Sequence, residues 1–253
     1  MIRPGSFPAR TAAALLAGSL VAWVVVVEWM WGMDASPGMD LGSLGFYLGV
    51  WVTMTAAMML PSVAPMTLAY AQVSRRPRAG TTFFLAGYLV AWTGYGLLAF
   101  AVYRALRAAA PAFFRWDSGG RYLAGAAVAA AGLYELTPLK SVCLRQCRTP
   151  LHFVLGRWRP GRLGALRMGT EHGAYCLGCC FGFMLLLFVL GLMSLVWMVL
   201  VAALVFAEKV LPLGDRLPRA VAAALVAVGL WVAIAPATVP GLTRPIETSS
   251  AGR

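Results

Sequence analysis

Apolar runs separated by short arginine-rich segments organise this chain of 253 residues. The runs over 11–31, 43–71, 81–103, 122–139 and 217–235 are each near the ~20 residues a helix needs to cross a bilayer. A longer run, 173–207, exceeds one ordinary span. It reads as two short ones, 173–191 and 194–208, turning near Gly191 to Ser194. The pattern predicts an all-α, polytopic helical membrane protein with about seven transmembrane helices, or six if the long run is one span. No polar stretch is long enough for a second soluble unit, so 1–253 reads as a single membrane-embedded helical domain. The first run has no small-residue cleavage site before its Trp-rich end, so it reads as an uncleaved span. Inside the second run, Pro61 and Pro65 each remove a backbone donor, which predicts a kink or partial unwinding.

The charges orient this pattern. The loop after the first span has no basic residue, while Arg75, Arg76 and Arg78 follow the second. A loop over 140–171 carries seven basic residues and one acid. With the N-terminus in the cytoplasm, 15 of the 21 basic residues fall inside, as the positive-inside rule requires. The loop 140–171 is then cytoplasmic. Residues 104–121, with four arginines, fall outside; they read as an amphipathic surface segment and fit this orientation least well. The composition agrees: 60% of residues are hydrophobic and 12% charged, about half the charged fraction of a soluble domain. The net charge of +12 gathers between apolar runs as topology-setting charge. The partner it implies is the lipid bilayer and not nucleic acid.

The chemistry gathers at two short segments. Cys143 and Cys147 open the basic loop, and His172, Cys176, Cys179 and Cys180 begin the long apolar run. If the run is helical from about Gly173, these four share one helical face. Thiolates suit Cu(I), and Cys with His also suits Zn(II); the thiol-rich set favours Cu(I). The proposed ligands are Cys143, Cys147, His172, Cys176, Cys179 and Cys180. The kinked second span, with Met58, Met59 and Met66 beside Pro61 and Pro65, is the candidate path for the metal.

Plainer readings stand beside this one. Cysteine is small and apolar, so Cys-Leu-Gly-Cys-Cys also fits a helix-packing face. The methionines fit ordinary packing, and the prolines a kink. Glu135 at a membrane interface is an ordinary solvated carboxylate; placed deeper, it becomes a functional candidate. Five cysteines cannot all pair as disulfides. No phosphate-binding glycine loop, paired carboxylates or Ser/His/Asp set is visible, so enzymatic hydrolysis is not expected.

Three motifs carry a resemblance. They are Ala57-Met58-Met59-Leu60-Pro61-Ser62 with Pro65-Met66, then Leu136-Thr137-Pro138-Leu139-Lys140 with Cys143 and Cys147, then His172-Gly173 with Tyr175-Cys176-Leu177-Gly178-Cys179-Cys180. In this order they resemble the bacterial family called domain of unknown function 2182, described as predicted metal-binding integral membrane proteins. The likeness continues through Met193, Trp197-Met198 and Glu208-Lys209. Glu135 and Ser194 depart from it, where Gln and Asn are expected. The resemblance implies a multi-pass protein of the bacterial inner membrane with the matching Cys and His residues as metal ligands.

The expected function is binding of a soft metal, copper before zinc, for transport or for delivery to a metal-receiving protein. Two alternatives remain: a membrane thiol–disulfide carrier, which would make the chain an enzyme, and a non-catalytic assembly factor with packed cysteines.

Overall fold

The computed structural model describes residues 6–31, 42–74, 77–109, 121–190, 195–211, 214 and 216–235. Those residues form helices and connections, with no strand among them. In chain order the helices are α1 (Ser6–Met30), α2 (Leu44–Val73), α3 (Pro77–Ala109), α4 (Arg121–Tyr134), α5 (Pro138–Arg148), α6 (Pro150–Gly156), α7 (Gly161–Leu190), α8 (Leu195–Val210) and α9 (Arg216–Ile234). Five of them, α1, α2, α3, α7 and α9, are long and apolar enough to cross a membrane. At 1.5 Å per residue, α4 with 14 residues and α8 with 16 fall short of a ~30 Å hydrocarbon core. Against the expected seven spans, or six, five helices of spanning length stand among the described residues. The 32–41 loop, residues 110–120, the turn at 191–194 and the tail lie outside the described residues.

Three expectations need correction. The fourth run does not continue to 139. Helix α4 stops at Tyr134, and a turn over 135–137 leads into α5, where Thr137 caps the new helix by accepting from Lys140 N at 3.3 Å. Pro138 follows at the first position, where its missing N–H costs nothing. The loop 140–171 is largely helical: it comprises most of α5, all of α6 and the first turns of α7. Helix α7 therefore begins at Gly161 and not near Gly173, which puts His172 and the cysteines in its middle.

The second span does not unwind. Helix α2 runs unbroken through Pro61 and Pro65. Pro61 cannot donate to the carbonyl of Ala57, four residues back. Ser19 Oγ on α1 donates to that carbonyl instead, at 2.8 Å. A neighbouring helix thus satisfies the group the proline leaves free, as a low-dielectric setting demands.

Close helix approach places α7 at the centre. A Cβ on Gly87 of α3 would collide with the Leu166 carbonyl, and one on Gly169 of α7 with the Phe84 carbonyl. Thr170 Oγ1 bonds Gly87 O across the seam at 3.1 Å. Small residues let the two backbones touch. Gly125 and Gly132 of α4 and Gly229 of α9 form a second such seam. The segment between α6 and α7 is pinned by Glu171, which pairs with Arg159 at 3.1 Å and with Arg157 and Arg167 at 3.5 Å.

Candidate metal centre

One turn of α7 carries Cys176, Cys179 and Cys180. All three are buried, and their sulfurs lie within 4.8 Å of one another. The helix accounts for the grouping: positions separated by three and four share a face, and the adjacent Cys180 stands 3.6 Å from Cys179. The Cys179 thiol donates to the Cys176 carbonyl at 3.2 Å. A fourth sulfur comes from α5, where Cys147 Sγ stands 3.8 Å from Cys179 Sγ. Two helices separated by a polar stretch therefore place four thiols together.

Cys143, the fifth, lies one turn away on α5. It packs at Gly178, where a Cβ would fall 2.5 Å from its sulfur. Burial pushes the Cys143 thiol above its ordinary range, so it favours the neutral form. A larger residue at 178 would force the Cys143 side chain to shift.

His172 lies one turn before Cys176, in an aromatic box. Its ring stacks on Phe84 (6.0 Å) and Tyr88 (5.9 Å), and Phe153 of α6 meets it edge-on at 5.3 Å. The imidazole is buried, and its Nδ1 has no hydrogen-bond partner. His172 thus keeps a free ring nitrogen beside the thiols but stands outside the group of three sulfurs. Met58, Met59 and Met66 are buried in the core on α2, with Pro61 partly buried and Pro65 exposed. The other histidine, His152, is exposed on α6.

Two contacts to the thiols come from residues outside the expected ligand set. Lys209 Nζ, in the last turn of α8, donates to Cys176 Sγ at 3.0 Å. The Tyr88 hydroxyl on α3 lies 3.0 Å from the same sulfur. Cys176 is therefore held by an ammonium and a phenol. The visible signal for Lys209 was Glu208-Lys209 directly after a long apolar run, a pair that otherwise reads as an ordinary polar connection. For Tyr88 there was none.

Glu208, the neighbour of Lys209, is buried and not part of a solvated connection. It pairs with Lys140 Nζ at 2.7 Å, and Lys140 also pairs with Glu135. Glu135 is thus buried and not an ordinary interfacial carboxylate. Burial pulls the Lys140 ammonium below its ordinary range and Glu208 pulls it back. Arg148 completes the tie between α5 and α8, with Nε donating to Glu208 O at 2.6 Å.

Chemically, four converging thiols form a soft donor set. Sulfur-only surroundings select Cu(I) or Zn(II) over hard cations, and the neighbouring ammonium offsets the charge of the thiolates. A family described as copper chaperone, PpoB2, matches residues 48–232. The matched stretch contains all five cysteines, His172, Tyr88 and Lys209. It supports the metal-related character the resemblance implied, under a different family description. No curated protein and no solved structure matches the chain. With most of its length matched, the chain belongs to the copper chaperone family PpoB2.

Proposed function

We propose that this protein receives Cu(I) as cargo on the α7 thiols, within the bacterial inner membrane, and passes it to a metal-receiving protein. The carrying observation is the convergence of Cys176, Cys179 and Cys180 with Cys147 from a second helix. A chaperone must hold its cargo and then release it, and thiols do this by stepwise exchange: an incoming sulfur bonds before an outgoing one leaves. Cys147 suits that role, because it joins the α7 thiols from a second, short helix, α5, with its sulfur against Cys179. No covalent bond in a substrate is made or broken, so the proposed activity is binding and transfer and not enzymatic turnover. The unpaired Nδ1 of His172 supplies a further donor on the approach to Cys176. The buried methionines of α2 supply thioethers for a route through the bundle.

The N-terminus is placed in the cytoplasm, from the distribution of arginines. The short helix α4 is taken to cross as well, so reporter fusions at Arg78 and Arg162 are both cytoplasmic; a cytoplasmic signal at Arg78 with a periplasmic one at Arg162 would mean that α4 does not cross. The site itself is tested by metal analysis of anaerobically purified protein. The wild type retains copper, and Cys176→Ser loses it while folding normally. Equal copper in both would remove Cys176 from the site.

One observation favours a second reading. At 3.8 Å, Cys147 and Cys179 are close enough to join as a disulfide after a small shift of α5. A thiol–disulfide carrier would show that pair oxidised in a fraction of molecules, unaffected by a copper chelator. The chaperone reading expects both thiols reduced under anaerobic purification.

A further inference from the structure

A cavity of about 450 Å³ opens between α5 and the start of α9, and none of the five cysteines lines it. Its lining includes Lys140, Arg145, Arg148, Arg219, Glu135 and Ser141. The floor is neutralised: Lys140 pairs with Glu135 and Glu208, and Arg148 donates to the backbone carbonyls of Glu208 and Gly214. At the mouth, Arg145 and Arg219 are exposed and make no ion pair among the described residues. Four cations thus face two carboxylates, and the unspent positive charge lies at the opening. The N-terminal end of α5, capped by Thr137, adds its positive dipole on the same wall.

The surroundings say what kind of anion fits. Leu136 lines the cavity and is 56% exposed, and Leu139 and Val142 of α5 are exposed beside it. Arg219 stands in the first turn of α9, a helix of spanning length, so the mouth lies where a membrane's headgroup layer begins. Cations at a mouth with an apolar lip match an amphiphile, with its phosphate on the arginines and its acyl chains along the leucines. A free phosphate would use the arginines and leave the lip bare.

We propose that this cavity binds the phosphate of an anionic phospholipid headgroup, with Arg145 and Arg219 as its two principal contacts. Bound there, the lipid braces α5 against α9, and α5 is the helix that carries Cys147. The proposal concerns a site separate from the thiols and stands whether or not they hold copper.

The test uses the full chain purified in detergent and delipidated, with binding read by native mass spectrometry and by the rise in Tm. Phosphatidylglycerol, phosphatidylcholine and inorganic phosphate are each titrated. Phosphatidylglycerol binds and raises Tm, and the other two do so far less. Arg145→Gln with Arg219→Gln weakens phosphatidylglycerol binding about twenty-five-fold, the product of about fivefold for each arginine near a charged surface. Arg107→Gln, on α3, leaves binding unchanged. If the double variant fails to fold, Arg145→Gln alone shows the fivefold loss and Arg145→Lys with Arg219→Lys keeps binding. Equal stabilisation by phosphatidylcholine, or by inorganic phosphate alone, would overturn the proposal. So would undiminished phosphatidylglycerol binding in the double variant.

Discussion

Two buried polar clusters lie side by side where α5, α7 and α8 meet, and they are built on opposite principles. In the first, Lys140 stands between the carboxylates of Glu135 and Glu208. Each charge has a partner, and the groups come from the α4–α5 turn, α5 and α8. This cluster closes on itself and ties three parts of the chain together. In the second, four sulfurs face one another with a single ammonium, Lys209, on one of them. Thiols are weak donors and weak acceptors, so packing them together satisfies little hydrogen bonding. What such a cluster gains is a soft cation. The comparison separates a polar core that holds the bundle from one whose donors suit a soft cation, although Glu208 of the first adjoins Lys209 of the second.

The largest effect is expected from the closed cluster. Lys140→Met leaves two buried carboxylates without their cation, at a cost of about 3–5 kcal/mol. The Tm in detergent should fall sharply, and an unchanged Tm would mean the triad does not hold the bundle. A smaller effect, of another kind, follows at the open cluster. Lys209→Met should leave the protein folded but weaken copper binding roughly 10–100-fold, the usual consequence of removing a group that supports a metal ligand. Competition with a soft chelator measures it. If Lys209→Met lowered Tm as much as Lys140→Met and left affinity alone, the two clusters would not differ in kind. The smallest effect is expected at Met58→Leu, a volume-conserving change costing under about 1.5 kcal/mol. It should leave bound copper unchanged and slow copper transfer in cells. Unaltered transfer would reduce the α2 methionines to packing.

The same contrast explains what could be read in the sequence. Continuous apolar runs marked α1, α2, α3 and α9 closely, because a span must hide its backbone and cover itself with apolar side chains. Cys176, Cys179 and Cys180 were legible for a related reason: their spacing puts them on one helical face wherever the helix begins. Helices α5 and α6 were not. Both are short and lie in a basic stretch, and Pro138 and Pro150 imitate loop punctuation while occupying the first helical position. Without α5, the meeting of Cys147 with Cys179 had no basis in local spacing. The Glu135–Lys140–Glu208 triad was hidden likewise, since residues at the ends of apolar runs look solvated until tertiary packing buries them. The Ala57 carbonyl that Pro61 leaves free is satisfied by Ser19, 38 positions from Ala57 in the chain, which no local pattern reveals.

The central claim is that α7 holds a soft metal through sulfur. X-ray absorption at the copper edge of the anaerobically loaded protein tests it most directly. The account predicts a Cu(I) edge and a first shell of sulfur scatterers, reduced in sulfur number in Cys179→Ser. A Cu(II) edge, or a first shell dominated by nitrogen or oxygen, would contradict it.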